Sequence, residues 1–191
     1  MGIVIVDISV SLDGFIAGAN VTVKQPLGEA GLRLHEWFFK PQNELEKTTM
    51  AGLATSSGAI ILGRTMYDTG IDEAWGGVTP FDAPAYVVTS RPAPEKQVDG
   101  FCFVNEGIQS ALSQAKASAG EKNIWVIGGA NLIQQYIRVR LVDELRLHLV
   151  PVLFGEGSRL FEHIGAEHRE LEKIDVIESP SAIHTRFRFL K

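Results

Sequence analysis

Cysteine is nearly absent from this chain: Cys102 is the single one among 191 residues, so no internal disulfide can form. That excludes a small secreted fold stapled by bridges and makes a reducing cytoplasm the expected compartment. With Phe101, Phe103 and Val104 around it, Cys102 reads as a buried strand thiol, not a nucleophile. Positive charge is scarce as well. Lys and Arg number 18 against 23 Asp and Glu, a net charge of −5, and no basic cluster marks a nucleic-acid footprint. The opening GIVIVDISVS lacks a basic lead-in and carries Asp7, so neither a signal peptide nor a membrane span is expected. The histidines, at 35, 148, 163, 168 and 184, show no metal-ligand spacing, and no metal is expected. Internal repeats and low-complexity linkers are missing too.

What is present is a globular composition, 45% hydrophobic and 21% charged, in a length that suits one domain over 1–191. Residues 2–11 read as an apolar strand ending in the turn Ser11-Leu12-Asp13-Gly14. Phe15 to Gly18 extends it briefly, and 19–31 is a loop long enough to be functional or mobile. A short helix or turn over 34–39 closes at Pro41, and 43–57 reads as helix, with Leu45, Thr49, Gly52, Leu53 and Ser56 on its small, apolar side. Strands follow at 59–62, 84–89, 101–104 and 124–127. Asn105 is a plausible N-cap for a helix carrying the stripe Ile108, Ala111, Leu112, Ala115 and Ala119. Residues 143–152 alternate, with Leu145, Leu147 and Leu149 on one face and Arg146, His148 and Val150 on the other. The tail gives two strands, 170–178 and 183–190, joined by a hairpin at Ser179-Pro180-Ser181. The sum is an α/β protein: a mixed, mostly parallel sheet with a C-terminal antiparallel hairpin.

The most informative stretch is IWVIGGANLIQQYI, residues 124–137. A buried strand breaks at Gly128-Gly129 and re-emerges as a helix carrying Leu132, Ile133, Tyr136 and Ile137. Such a turn exposes bare N–H groups beside a helix N-terminus, where negative charge is favoured. Two other strand ends carry Gly63-Arg64-Thr65 and Ser90-Arg91. Ligands of open α/β sheets bind beyond the carboxyl ends of the strands, so these three turns converge on one expected phosphate site.

The segments SLDGFIA (11–17), LGRTMYD (62–68), VVTSRP (87–92), VIGGANLIQQY (126–136) and DELRLHLVPVLFGEGSRLF (143–161) together resemble the dihydrofolate reductase-like superfamily. Within it, the chain is similar to stand-alone bacterial proteins related to the C-terminal reductase domain of the bifunctional riboflavin-biosynthesis deaminase–reductase. The resemblance runs end to end and implies a three-layer αβα fold, NADPH as cofactor and a homodimer. It implies that Gly63, Arg64, Thr65, Ser90 and Arg91 hold the adenosine side with its 2′-phosphate. Gly128, Gly129, Ala130, Asn131 and Leu132 would lie under the pyrophosphate, and Ile16 and Ala17 would face the nicotinamide. No acidic residue stands in the arginine turns, which favours NADPH over NADH.

The substrate half departs from both families. Matching Trp37-Phe38 to the aromatic pair of dihydrofolate reductases puts Leu34 where the pterin-binding carboxylate belongs. Glu36 lies roughly 200° further around a helix and is no simple substitute. The strand threonine of those enzymes matches His148, and the Lys and acidic residue of riboflavin reductases match Phe15 and Ile127. Substrate-binding candidates are His35, Glu36, Trp37 and Tyr67, each of which also has a plain structural reading. His148 is the expected proton donor, with Asp13 next. The expected function is NADPH-dependent reduction of a small metabolite by a cytoplasmic enzyme. A non-catalytic NADPH-binding sensor or interaction module is the alternative.

Overall fold

The structure is a computed structural model that describes residues 2–190. In chain order the strands are β1 (Val4–Ser11), β2 (Phe15–Ala17), β3 (Ser57–Gly63), β4 (Ala85–Val88), β5 (Phe101–Val104), β6 (Asn123–Gly128), β7 (Glu144–Val150), β8 (Ser158–Arg159), β9 (Leu171–Glu178) and β10 (Ile183–Phe189). The helices are α1 (Glu36–Phe39), α2 (Glu44–Ser56), α3 (Arg64–Gly70), α4 (Ile108–Ala119) and α5 (Ala130–Arg138), with a 3₁₀ turn at Gly31–His35 running into α1.

Eight strands form one sheet in the order β5-β4-β3-β6-β1-β7-β10-β9. The six from β5 to β7 are parallel; β10 and β9 close the edge antiparallel. β2 and β8 pair separately as a small antiparallel ribbon. This is the mixed, mostly parallel three-layer arrangement that the sequence pattern predicts.

Alternation in β1 decides what each layer receives. Val4, Val6 and Val10 point to the face covered by α4 and α5, where Ala111, Leu112, Ile133 and Tyr136 are buried against them. Tyr136 also donates its hydroxyl to the Ile108 carbonyl at 2.8 Å, tying the two helices together. Asp7, Ser9 and Ser11 point the other way, and all three are buried. On that opposite face α3 covers one half of the sheet through Tyr67 and Ile71, and Leu34 and Trp37 cover the other.

Two local expectations are corrected. The α4 N-cap is Gly107, not Asn105, and no side chain caps it, because the chain turns through a positive φ at that glycine before the helix begins. Cys102 is exposed: β5 is the outermost strand of the sheet, and the thiol lies at this edge while Phe101 and Val104 are buried. In α2, Leu53 is buried and Leu45, Thr49 and Ser56 are half-buried, whereas Gly52 is exposed. The same helix buries a carboxylate that the apolar pattern does not foresee, Glu46.

Candidate active-site cleft

Beyond the carboxyl ends of the parallel strands lies a cleft of about 1650 Å³. That exceeds the roughly 300–1,000 Å³ of an ordinary ligand pocket and leaves room for a dinucleotide and a second small molecule. Because β4, β3 and β6 are neighbours in the sheet, their three turns arrive side by side. Gly63, Arg64, Thr65, Ser90, Arg91, Gly129, Ala130, Asn131 and Leu132 all line the cleft, and so do Ile16 and Ala17. Gly128 does not; it is buried one residue below, joined to Gly129 by a cis peptide bond. The N-cap of α5, Gly129, has no side-chain cap, so the first amides of this helix open onto the cleft.

The two arginines are not free cations. Arg64 donates through Nε to Asp68 at 2.6 Å and through Nη1 to the Pro92 carbonyl at 2.7 Å. Arg91 donates through Nη2 to the other oxygen of Asp68 at 2.7 Å. The turns themselves hold no acid, yet Asp68, one helical turn past Arg64, reaches both. The result is a pre-positioned pair in which Arg91 keeps most of its side chain in solvent.

The loop that follows β2 is ordered by backbone pairs, Gly18 to Leu27 at 3.0 Å and Glu29 to Ala19 at 2.8 Å. It turns Val21, Pro26 and Leu27 into the cleft wall. Gly157 permits this packing, since a Cβ there would lie 2.2 Å from the Ala17 carbonyl and its φ is +132°.

At the β1–β7 end the cleft floor is polar and buried. Asp7 and His148 are 5% and 3% exposed and line the cleft. Their atoms Oδ1 and Nε2 are 2.7 Å apart, and His148 Nδ1 lies 2.7 Å from Nδ1 of His184. His184 Nε2 is 3.1 Å from Ser179 Oγ. The pairing register makes this geometry: Ser9, His148 and His184 are directly opposite one another across β1, β7 and β10. Trp37 covers the cluster, its ring 4.2 Å from that of His148 and 4.9 Å from that of His184, and its indole donates to Ser9 Oγ at 2.9 Å. Burial first, and then the neighbouring His148 ring, push His184 down to about 4. The nearby Glu46 is held below the usual carboxylate range: burial alone would raise it, but Gln42, Ser179 and Ser181 all donate to it.

The remaining predicted residues divide. His35 lines the cleft, and burial lowers its pKa, which disfavours the helix-end cation. Glu36 turns away to a half-exposed ion pair with Arg33 at 3.3 Å and does not line the cleft. Tyr67 is core, buried with edge contacts of 5.0 Å to Phe101 and to Phe103. Asp13 is also outside the cleft. It accepts from Ser11 Oγ at 2.6 Å and from the Phe154 and Gly155 amides at 3.0 and 2.7 Å, and the Ser11 bond first, then those amides, hold it at about 2. An acid that strong and that occupied is no proton donor near neutrality. His148 is not at a wet face either, since α1 and Trp37 seal it from bulk water. Among the described residues, no group of three or more His, Cys, Asp or Glu is placed to hold a metal, and no helix is long and apolar enough to cross a membrane.

Three comparisons bear on this arrangement. The RibD C-terminal domain family matches residues 3–185. The Bacillus subtilis protein YyaP, itself uncharacterized, is 29% identical over 173 residues, covering 83% of this chain and 79% of its own. A candidate riboflavin biosynthesis protein from Shewanella sp. PV-4 superposes with a TM-score of 0.76 at 22% identity, over 99% of both chains. Dihydrofolate reductase from Enterococcus faecalis, solved with NADP(H), gives 0.65 at 14% identity over 100% of this chain and 98% of that one. At such identities the structural matches show a shared fold.

Proposed function

The chain belongs to the RibD C-terminal domain family, and from that premise we propose that it is an NADPH-dependent reductase of a small metabolite. The observation that carries this reading is the convergence of three turns on one cleft: Gly63-Arg64-Thr65, Ser90-Arg91 and the uncapped N-terminus of α5. Backbone amides at a helix N-terminus suit a pyrophosphate, and two arginines fixed by Asp68 suit a further phosphate at the β3–β4 end. When bound, NADPH would supply the hydride; the protein orients it and excludes water. Gly129 and the α5 amides would hold the pyrophosphate, while Arg64, Thr65, Ser90 and Arg91 would hold the 2′-phosphate end. Ile16 and Ala17, on the ribbon beside β1, would flank the nicotinamide. The polar floor formed by Asp7 and His148 is then where a substrate would be received.

The reading fits the relatives. One of the similar folds carries NADP(H), and another similar protein is a candidate for riboflavin biosynthesis. The substrate residues differ from both groups, so the substrate is proposed to be neither dihydrofolate nor the ordinary riboflavin-pathway intermediate. The test is NADPH oxidation by the purified protein across a panel of cyclic and carbonyl-containing metabolites. Turnover with one class supports the reductase. Tight NADPH binding with no oxidation across the panel would favour the non-catalytic module instead.

A further inference from the structure

Alternation along β1 sends Asp7 into the cleft floor, where its two carboxyl oxygens meet different surroundings. Oδ1 is committed to His148 Nε2 at 2.7 Å. Oδ2 has no hydrogen-bond partner among the described residues, although the side chain is only 4% exposed. Nor is Oδ2 sealed. Among the described residues, Arg169 Nε is the one side-chain nitrogen or oxygen that is both fully buried and unpaired. The small open area left to Asp7 therefore includes Oδ2, and Asp7 lines the cleft. A nearly buried polar atom left without a partner costs free energy until a ligand pairs it. The hydrogen in the Asp7–His148 contact can sit on Nε2 or on Oδ1, and the result at Oδ2 is the same. In both placements Oδ2 keeps its lone pairs and accepts. Only a hydrogen carried on Oδ2 itself would make it a donor.

The walls above this oxygen are apolar. Ile60 and Trp125, paired neighbours on β3 and β6, line the cleft from the sheet together with Ile127. Ala51 and Ala54 line it from α2. The lysine and arginines that line the cleft are all engaged. Arg64 and Arg91 are held by Asp68 at the β3–β4 end. Arg159 lies over the Phe15 ring at 4.2 Å and donates to the Asp13 carbonyl at 2.8 Å. Lys47 is paired with Glu44 on its own helix. The other carboxylate of this wall, Glu46, is already occupied by donors from Gln42, Ser179 and Ser181.

We propose that the substrate is an apolar ring without phosphate or carboxylate, anchored by one N–H or O–H that it donates to Asp7 Oδ2. Naming this ligand the substrate rests on the reductase reading; its binding at Asp7 does not. Apolar walls with one placed polar atom select a ring and fix its orientation. An anionic group would give up its hydration beside two carboxyl groups and find no unengaged lysine or arginine in exchange. Paired donors, such as those on the edge of an aminopyrimidinone, need two acceptor oxygens. Asp7 has one to give without breaking its bond to His148. Asp7 is thereby a substrate-binding residue that sets specificity.

The test is ligand-observed NMR titration of the full chain with four probes built on one ring. They are 4-quinazolinone, with a single lactam N–H; its N-methyl form, with none; its amino form, with a second donor beside the first; and its carboxylate form. The lactam should bind, and N-methylation should weaken it about tenfold, the worth of one hydrogen bond. The amino group should bring no gain, and the carboxylate should bind at least about tenfold more weakly. Asp7→Ala should bring the lactam and its N-methyl form to equal affinity. Binding of the N-methyl form as tightly as the lactam in wild type overturns the proposal without any variant. So does a tenfold gain from the amino group, tighter binding of the carboxylate, a preference that survives Asp7→Ala, or no binding of any probe. NADPH titration of the same sample separates the two readings. Absence of cofactor binding with the probe order intact defeats the reductase and not the Asp7 site; the reverse result defeats the site alone.

Discussion

At the scale of single residues, the four carboxylates near the strand ends have four different tasks, set by what surrounds them. Asp13 locks the turn after β1 to residues 154 and 155; Asp68 holds two arginines; half-exposed Glu36 pairs with Arg33; Asp7 is buried against an imidazole. The sign of the Asp13 contribution follows from its lowered pKa. Its folded value of about 2 lies below the ordinary 3.8, so it stabilises the fold fully above pH 4 and loses that effect as pH falls toward 2. Chemical denaturation of wild type and Asp13→Asn across pH 2 to 6 should show two curves that converge at the acid end. Parallel curves would assign the turn's stability to something other than this charge.

At the scale of elements, the short helix α1 explains why the substrate half departs from its relatives. Leu34, in the turn that leads into it, is wholly buried against Trp37, Val150 and Ala182, and Glu36 faces away from the cleft. This segment therefore brings hydrophobic cover and an indole to the cleft floor, and no carboxylate. A pterin ring would leave several N–H donors without the expected acceptor, at a cost of roughly 1–3 kcal/mol each. Dihydrofolate turnover should accordingly fall far below the ~10 s⁻¹ typical of enzymes. A rate at or above that figure would contradict this account of the substrate half. The β3–α3 turn offers a cleaner probe. A Cβ at Gly63 would meet Gly128 O and Gly129 N at 3.7 Å, ordinary contact, so Gly63→Ala should fold normally. The added methyl points between the turn proposed to hold the 2′-phosphate end and the turn proposed to hold the pyrophosphate, and NADPH affinity should drop about tenfold, a loss of about 1.4 kcal/mol. Unchanged affinity would move the phosphate away from this turn.

At the scale of the whole molecule, the sequence was most legible at its local turns. A strand, a glycine and a helix are contiguous in the chain, so Gly63, Gly128 and Gly129 could be placed before any tertiary contact was known. The strand alternation of 143–152 likewise appears as read, and His148 does share a face with Arg146 and Val150. What alternation cannot tell is which face becomes buried: α1 and Trp37 cover the polar one, so His148 is sealed in. The buried polar cluster was hidden for a related reason. Asp7, His148 and His184 are 141 and 36 residues apart and meet only through the register of β1, β7 and β10. One signal was available: Asp7 interrupts an apolar strand destined for the middle of the sheet, and a charge there needs a partner. The palindromic pairing of ELRLH with HTRFR, which sets His148 against His184, was the other.

The central claim is that this cleft is built for NADPH, and it is tested most directly by titrating NADPH and NADH into wild type and Arg91→Ala. A hydrogen bond to a charged group contributes roughly 1.5–3 kcal/mol, so the substitution should weaken NADPH about ten- to a hundredfold and leave NADH nearly unchanged. Equal losses for the two cofactors, or no binding of either to wild type, would contradict the account.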